Sequence, residues 1–74
     1  MFLNELEIGE KALVVELENA EKIKNRLKNM GLVNGVKIRV VRKAYFNGPI
    51  EIKLRDFYLA LRVDDAKYIK VNKL

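Results

Sequence analysis

Four kinds of side chain in this sequence could carry out acid–base or covalent chemistry: Asp, Glu, Lys and Tyr. Histidine, serine, threonine and cysteine do not occur among the 74 residues, so the most common general base and most acyl-transfer nucleophiles are missing. The absence of cysteine also excludes disulfides and thiol chemistry. The composition therefore favours a binding or regulatory module, and we predict that the protein is not an enzyme.

Neighbouring carboxylates are the remaining candidates for metal ligands. Asp64 and Asp65 are adjacent, and Glu16 lies two residues before Glu18. Fe(II) sites prefer imidazole together with carboxylate, and two carboxylates alone hold a hard cation weakly. Asp64 also has a structural alternative, because aspartate is a good N-cap for a helical turn. We therefore expect no stable metal site and no cofactor.

Two adjacent aromatic residues, Tyr45 and Phe46, fall in a segment with the composition of a loop, Ala44-Tyr-Phe-Asn-Gly-Pro49. Because neighbouring side chains point to different sides, we do not expect both rings to be buried. One interpretation is that an exposed ring anchors a partner, as loop aromatics of small barrels do with extended peptides. The other is that one ring closes the open end of a small barrel, where every apolar group counts. Both interpretations are open at this level.

Positive charge is the other prominent feature, with a formal net charge of +5. Eight cations occupy outward positions of predicted strands or the loops beside them: Lys37, Arg39, Arg42, Lys43, Lys53, Arg55, Arg62 and Lys70. A shared basic face could attract an acidic partner, an anionic membrane or nucleic acid. Ten interspersed carboxylates make solubility and edge protection the favoured interpretation. For nucleic acid, Tyr58 and Tyr68 are the candidate stacking residues.

The elements that would position these residues follow from hydrophobic periodicity. Residues 11–17 predict a strand with Leu13, Val15 and Leu17 on one face and Ala12 and Val14 on the other. Alternation with a period of two predicts further strands over about 36–41, 50–55 and 58–63, and a last strand around residues 69–71. A tight turn at Asp56-Phe57 would make the third and fourth strands a hairpin.

One helix is predicted between the first two strands, with an apolar stripe formed by Ala20, Ile23, Leu27 and Met30. We expect Asn19 as its N-cap and Gly31 as the left-handed residue that ends it. Asn34-Gly35 predicts a second sharp turn. On this helix, Arg26 has two possible roles: it holds the helix to the barrel through a carboxylate, or it faces a partner.

These elements define a mainly β fold with a small α component. It has five short strands, one helix after strand 1, and one helical turn before strand 5, at Asp64-Asp-Ala-Lys67. Strands this short leave open edges unless they curl into a small barrel. We expect a single domain over 1–74, since the length gives room for one core. No apolar run approaches the ~20 residues that span a bilayer, and the acidic N-terminus does not resemble a signal peptide.

Several segments, taken in order, match one known family. They are R-L-x-x-M-G-L-x-x-G-x-x-I-x-V-x-R over 26–42, Gly-Pro-Ile at 48–50, Leu-Ala-Leu-Arg at 59–62, and Asp-Asp-Ala-x-x-Ile-x-Val at 64–71. In order and spacing they resemble the FeoA domain over nearly the whole chain. The chain departs from the family pattern at Tyr45, where proline is usual, and at Gly48, where aspartate is usual. It also has Asp56-Phe57 where the family tends to place a glycine.

The resemblance implies an SH3-like β-barrel with one inserted helix. It implies a small cytoplasmic, non-enzymatic accessory protein of ferrous iron uptake that contacts a FeoB-type membrane transporter and its G-protein domain, and that meets the membrane only through that partner. The residues predicted to contact the partner are Arg26, Met30, Tyr45, Phe46 and Pro49. The alternative is a small basic barrel that binds nucleic acid.

Overall fold

The computed structural model describes all residues, 1–74. Its strands are β1 (Lys11–Leu17), β2 (Lys37–Lys43), β3 (Ile50–Leu54), β4 (Phe57–Leu61) and β5 (Ile69–Lys73), and its helices are α1 (Glu21–Asn29) and α2 (Val63–Ala66). A 3-10 turn at Leu3–Glu5 precedes β1. The predicted five strands, helix and helical turn are confirmed. Neither helix combines the length and the apolar character that crossing a membrane requires.

All five strands belong to one antiparallel sheet in the order β4-β3-β2-β1-β5. The register shifts between Val14 and Glu16 in β1 and between Val40 and Arg42 in β2. Such bulges bend a strand and increase its twist, which lets a short sheet curl around one core. The N-terminal segment covers the outer edge of β5, because the Val71 amide donates to the Met1 carbonyl at 2.8 Å. The edge of β4 is left open.

The bulge in β1 overturns the predicted faces of that strand. Leu17 was expected on the side of Leu13 and Val15, but it is buried together with Ala12 and Val14. The extra residue at the bulge shifts the alternation by one, so residues after it point to the opposite face. Leu13 and Val15 are half-buried, so one face of β1 supplies the core and the other is partly covered.

The core is one cluster of 17 buried apolar residues. The predicted alternation holds in β2 and β3, where Ile38, Val40, Ile50, Ile52 and Leu54 are buried. Helix α1 contributes Leu27 as its one fully buried side chain, with Ile23 and Met30 packed against the cluster at its margin. A nine-residue helix with this narrow stripe depends on packing rather than on its own propensity.

Helix α1 ends in the predicted manner. Gly31 has φ of +98°, its amide donates to the Lys28 carbonyl at 2.9 Å, and the Leu32 amide donates to the Leu27 carbonyl at 3.1 Å. These two bonds are those of a Schellman motif, with Gly31 at the left-handed position. Gly35 follows with φ of +91° in the second predicted turn. The chain therefore passes from helix to strand with hardly any connecting segment.

Three predictions about where elements begin or turn are wrong: the N-caps of the two helices and the turn of the hairpin. The N-cap of α1 is Ala20, because Asn19 has φ of +111° and its side-chain oxygen accepts from the next amide at 2.7 Å. The N-cap of α2 is Arg62, whose carbonyl accepts from the amides of Asp65 and Ala66, so Asp64 lies inside the helix. The β3–β4 turn is Arg55-Asp56, since Phe57 pairs with Leu54 in the sheet.

A carboxylate ties the segment before β1 to the last strand. Glu10 accepts from the Lys73 ammonium and from the Glu7 amide, the latter at 2.7 Å. The hydrogen bond from Lys73, followed by that from Glu7, lowers the pKa of Glu10 below its ordinary value of 4.5. A carboxyl whose folded pKa is depressed stabilises the protein above its unfolded pKa and loses that contribution as pH falls through the folded pKa.

We therefore expect Glu10→Gln to destabilise the protein at pH 7 and to have a smaller effect at pH 3. The stability difference between wild type and variant, measured by urea denaturation, should shrink as the pH falls from about 4.5. Glu18→Gln, at an exposed glutamate outside any ion pair, is the matched control and should change the stability little at pH 7. A constant difference for Glu10→Gln would contradict the assignment.

Candidate functional site

The loop between β2 and β3, residues 44–49, is here called the aromatic loop. Its ends are joined by a bond from the Ala44 amide to the Pro49 carbonyl, and its tip by one from the Gly48 amide to the Tyr45 carbonyl, both at 3.1 Å. Phe46 and Asn47 occupy the tip with φ of +57° and +60°. Two central residues with positive φ and this hydrogen bond define a tight turn. The loop is therefore closed by one backbone hydrogen bond at its base and one at its tip.

Gly48 permits this turn. A β-carbon at position 48 would lie 2.6 Å from the Ala44 Cβ and 3.1 Å from the Tyr45 carbonyl oxygen, so any side chain would force the loop to shift. The aspartate usual in the family at this position is incompatible with the conformation seen here. The conformation of this loop therefore depends on glycine at position 48.

Both aromatic rings of the loop lie in solvent. Tyr45 is 89% exposed and Phe46 is 101% exposed, so neither ring closes the end of the barrel. Two features of Phe46 are unfavourable in the isolated domain: a fully exposed apolar ring and a left-handed backbone, which is an outlier for a bulky residue. Strain and exposure of this kind concentrate where a protein binds something.

Pro49 and Asn47 line a depression between the aromatic loop and α2, together with Val63 and Lys67.

Helix α2 also binds Arg26 of α1, whose guanidinium donates to the Asp65 carboxylate at 2.6 Å. The structure thus contains the carboxylate contact on which the first of the two roles considered for Arg26 depends. Asp65 was missed as its partner, although an acid beside an alanine that packs inward was a usable signal.

The predicted contact residues do not form one patch. Gly31, next to Met30, lies beside Leu54 and Phe57, at the turn of the β3–β4 hairpin. The aromatic loop enters that hairpin at its other end, at Ile50. Met30 is half-buried against the core, whereas Tyr45, Phe46 and Pro49 are exposed together. The structure brings the three loop residues together and places Met30 at the far end of the hairpin.

The acidic pair Asp64-Asp65 is engaged by cations. Asp64 lies 3.2 Å from the Lys67 ammonium, and Asp65 is bound by Arg26. No three His, Cys, Asp or Glu side chains lie close enough together to hold a metal ion. Of the two tyrosines considered for nucleic acid, Tyr58 lies on β4 with the Lys53 ammonium 5.8 Å from its ring centroid, and Tyr68 precedes β5.

Of the eight predicted cations, two have internal partners, four line one groove, and Arg62 and Lys70 belong to neither set. Some have internal partners: Arg42 lies 3.6 Å from Glu51, and Lys43 donates to the carbonyls of Asn4 and Leu6. Others line one groove across β1, β2 and β3, here called the basic groove, formed by Lys11, Lys37, Arg39, Lys53 and Arg55. Lys11 was missed, because its place depends on β1 pairing with β2.

The small curled sheet of five antiparallel strands defines a small β-barrel domain of the SH3-like class. Comparison with known proteins identifies the family. The model of the FeoA domain matches residues 1–73, and the chain belongs to the FeoA family.

Two relatives and one solved structure illustrate the similarity. A candidate Fe(2+) transport protein A of Campylobacter jejuni is 36% identical over 72 residues, which are 97% of each chain. An Fe(2+) transport protein A/Fe(2+) transporter FeoB fusion protein of Porphyromonas gingivalis is 35% identical over 97% of this chain and 8% of the fusion. The crystal structure of Stenotrophomonas maltophilia FeoA complexed with zinc, described as a prokaryotic SH3 domain protein, has a TM-score of 0.78 and 30% identity, covering 97% of this chain and 89% of that one. The SH3-like fold is confirmed.

Proposed function

We propose that this protein is a cytoplasmic, non-enzymatic accessory factor of ferrous iron uptake. It acts by binding the cytosolic part of a FeoB-type transporter, and the aromatic loop is its docking element. The observation that carries this proposal is Phe46, a fully exposed ring at the tip of a hydrogen-bonded turn. A rigid turn that presents an aromatic ring loses little conformational entropy on binding, which favours it as an interface anchor.

The fusion protein supports the identity of the partner. In the Porphyromonas gingivalis protein, an FeoA-like segment and an FeoB transporter are parts of one chain. Covalent linkage raises the effective concentration of one module at the other and is useful when the two act together. Where the two modules are separate chains, the same encounter has to be made by a docking surface.

The direct test is an amide NMR titration of the labelled protein with the cytosolic part of the ferrous iron transporter of its own organism. We expect the shifts to cluster on residues 44–49 and on the neighbouring residues of α2, which border the loop. Residues around Met30, at the other end of the hairpin, should shift less. An absence of shifts at high partner concentration would contradict docking through this part of the transporter.

Phe46→Ala should weaken this docking by about tenfold or more, since the removal of an anchoring aromatic typically costs at least 1–2 kcal/mol of binding free energy. Its stability should be unchanged or slightly higher, because the ring packs on nothing and alanine tolerates the left-handed backbone better than phenylalanine. Isothermal titration calorimetry measures the affinity, and urea denaturation measures the stability.

Tyr58→Ala is the matched control. It removes a second exposed ring, but from the open edge strand β4 and not from the aromatic loop. We expect this variant to bind the partner with wild-type affinity. Equal affinities for Phe46→Ala and wild type would remove the aromatic loop as the docking element, whereas a loss in both variants would indicate a broader aromatic interface.

A further inference from the structure

The cations of the basic groove are arranged in a way that destabilises the free protein. Lys11 lies directly opposite Arg39, and Arg39 lies directly opposite Lys53, so three cations form a row across three strands. Lys37, two residues before Arg39, and Arg55, two residues after Lys53, line the same groove at its next step along the strands. Like charges directly opposite one another in a sheet are destabilising. A sequence selected for stability alone would place acids between them.

No acid compensates this charge within the groove. None of its five cations takes part in an ion pair, and no Asp or Glu lines it. Of the ten cations outside the groove, half pair with a carboxylate: Lys24, Arg26, Arg42, Lys67 and Lys73. The groove is therefore a single-sign site of about 550 Å³ that opens to solvent. Grooves of one charge concentrate ligands of the opposite charge.

Arg55 provides a second and independent observation. It occupies the β3–β4 turn with φ of +53°, a left-handed conformation in which glycine would be free of strain. A strained backbone that carries a charged side chain into a like-charged groove is doubly unfavourable for the free protein. Strain of this kind persists where the side chain serves a function.

We propose that the basic groove binds an extended acidic polypeptide segment with carboxylates at alternate positions. Alternate residues of an extended chain are about 6.6–6.8 Å apart, which is also the spacing of Lys37 to Arg39 along β2. One face of such a segment can therefore place a carboxylate against each successive cation. The groove is separate from the aromatic loop, and this proposal stands whether or not the loop docks on a transporter.

Two other polyanions fit less well. Single-stranded nucleic acid binders stack bases on a series of aromatic rings, whereas a single ring stands beside this groove: Tyr58, with the Lys53 ammonium 5.8 Å from its centroid. An anionic bilayer presents a broad surface to exposed basic and apolar groups, whereas these cations line a concave groove with two apolar residues, Val36 and Ile38, both buried. The chemistry favours a narrow, flexible chain of carboxylates.

The experiment titrates the labelled full chain with three probes at low salt. The probes are a short peptide of alternating Glu and Thr, a single-stranded oligonucleotide, and vesicles containing anionic phospholipid. We expect the peptide to shift the amides of residues 11, 37, 39, 53 and 55, and a peptide with Gln in place of Glu to shift none of them. The affinity should fall as salt is added.

Two variants separate binding from folding. Arg39→Glu should weaken peptide binding about tenfold, whereas Lys22→Glu, the same charge change on the exposed face of α1, should weaken it much less. Arg55→Gly should weaken binding about threefold while raising the melting temperature by a few degrees, because it relieves the left-handed strain. If Arg55 had only a structural role, this substitution would not lower the peptide affinity while raising the melting temperature.

Three results would overturn the proposal. Tighter groove binding of the oligonucleotide or the vesicles than of the acidic peptide would assign the groove to that other polyanion. Equal binding of the Glu and Gln peptides would remove the electrostatic basis. No groove shifts with any probe at low salt would show that the charge serves solubility alone.

Discussion

Replacing Gly31 by valine is expected to destabilise the protein by about 3 kcal/mol, the sum of a backbone cost and a packing cost. The φ of +98° lies in the region that a β-branched residue adopts only under strain. A β-carbon at this position would also lie 3.3 Å from the Leu54 Cδ1 and 3.4 Å from the Phe57 Cζ. Leu54 is fully buried, so it cannot move aside without disturbing the core.

The effect should be large because Gly31 joins two parts of the fold. It ends α1 through the Schellman bonds and lies against the turn of the β3–β4 hairpin. For a domain of this size, about 3 kcal/mol corresponds to a fall in melting temperature of more than 10 °C. Urea denaturation and thermal unfolding by circular dichroism measure both quantities.

Gly35 offers a matched control. Its φ of +91° is nearly the same, but nothing lies within 4 Å of an added β-carbon. Gly35→Ala therefore reports the backbone cost alone, about 1–2 kcal/mol, and Gly31→Ala should exceed it by the cost of the two close contacts. Equal losses for the two alanine variants would show that packing beside Leu54 and Phe57 contributes nothing. An unaffected Gly31→Val would contradict the left-handed helix end.

Features that depend on residues close together in the sequence were predictable. The positive φ of Gly31 and Gly35 follows from turn chemistry within a few residues, and the strand alternation of β2 and β3 follows from their period of two. The bulge in β1 was not visible, because nothing in Lys-Ala-Leu-Val-Val-Glu-Leu marks the extra residue. The register is set by β5, which lies more than fifty residues further along the chain.

For the candidate sites too, the part set by nearby residues was predictable and the part set by distant residues was not. The aromatic loop was found because two adjacent rings in a loop segment are unusual, but their complete exposure depends on the turn that Gly48 permits. The basic groove was predicted only as a diffuse face. The strand order determines which residues form it. Lys11 belongs to the groove because β1 pairs with β2, whereas Arg42 and Lys43 have internal partners and lie outside it.

The ion pair between Arg26 and Asp65 could not be located from the sequence, since the two residues are 39 positions apart. Its two partners differ in burial: the Arg26 side chain is 51% exposed, whereas that of Asp65 is 12% exposed. Removing one partner from such a pair leaves the other without compensation, and the cost depends on which one remains. A lone arginine here can be hydrated, but a lone carboxylate here cannot be hydrated fully.

Arg26→Ala is therefore expected to destabilise the protein by about 2 kcal/mol, close to the value of a hydrogen bond between charged groups with one nearly buried partner. Asp65→Asn in the Arg26→Ala background should recover part of that loss, because it removes the uncompensated charge and keeps the shape. Lys24→Ala is the matched control on the same helix, since its contact with Glu21 is exposed and 4.0 Å long, and it should cost at most about 0.5 kcal/mol.

The stabilities of these variants also decide between the two roles considered for Arg26. If Arg26→Ala costs no more than Lys24→Ala, the pair does not hold α1 to α2, and the exposed part of the guanidinium is available to a partner. If Arg26→Ala destabilises the protein and Asp65→Asn restores it, the arginine is a structural link between the helix and the short turn of α2. Because α2 also borders the aromatic loop, that link would fix the position of the loop relative to α1.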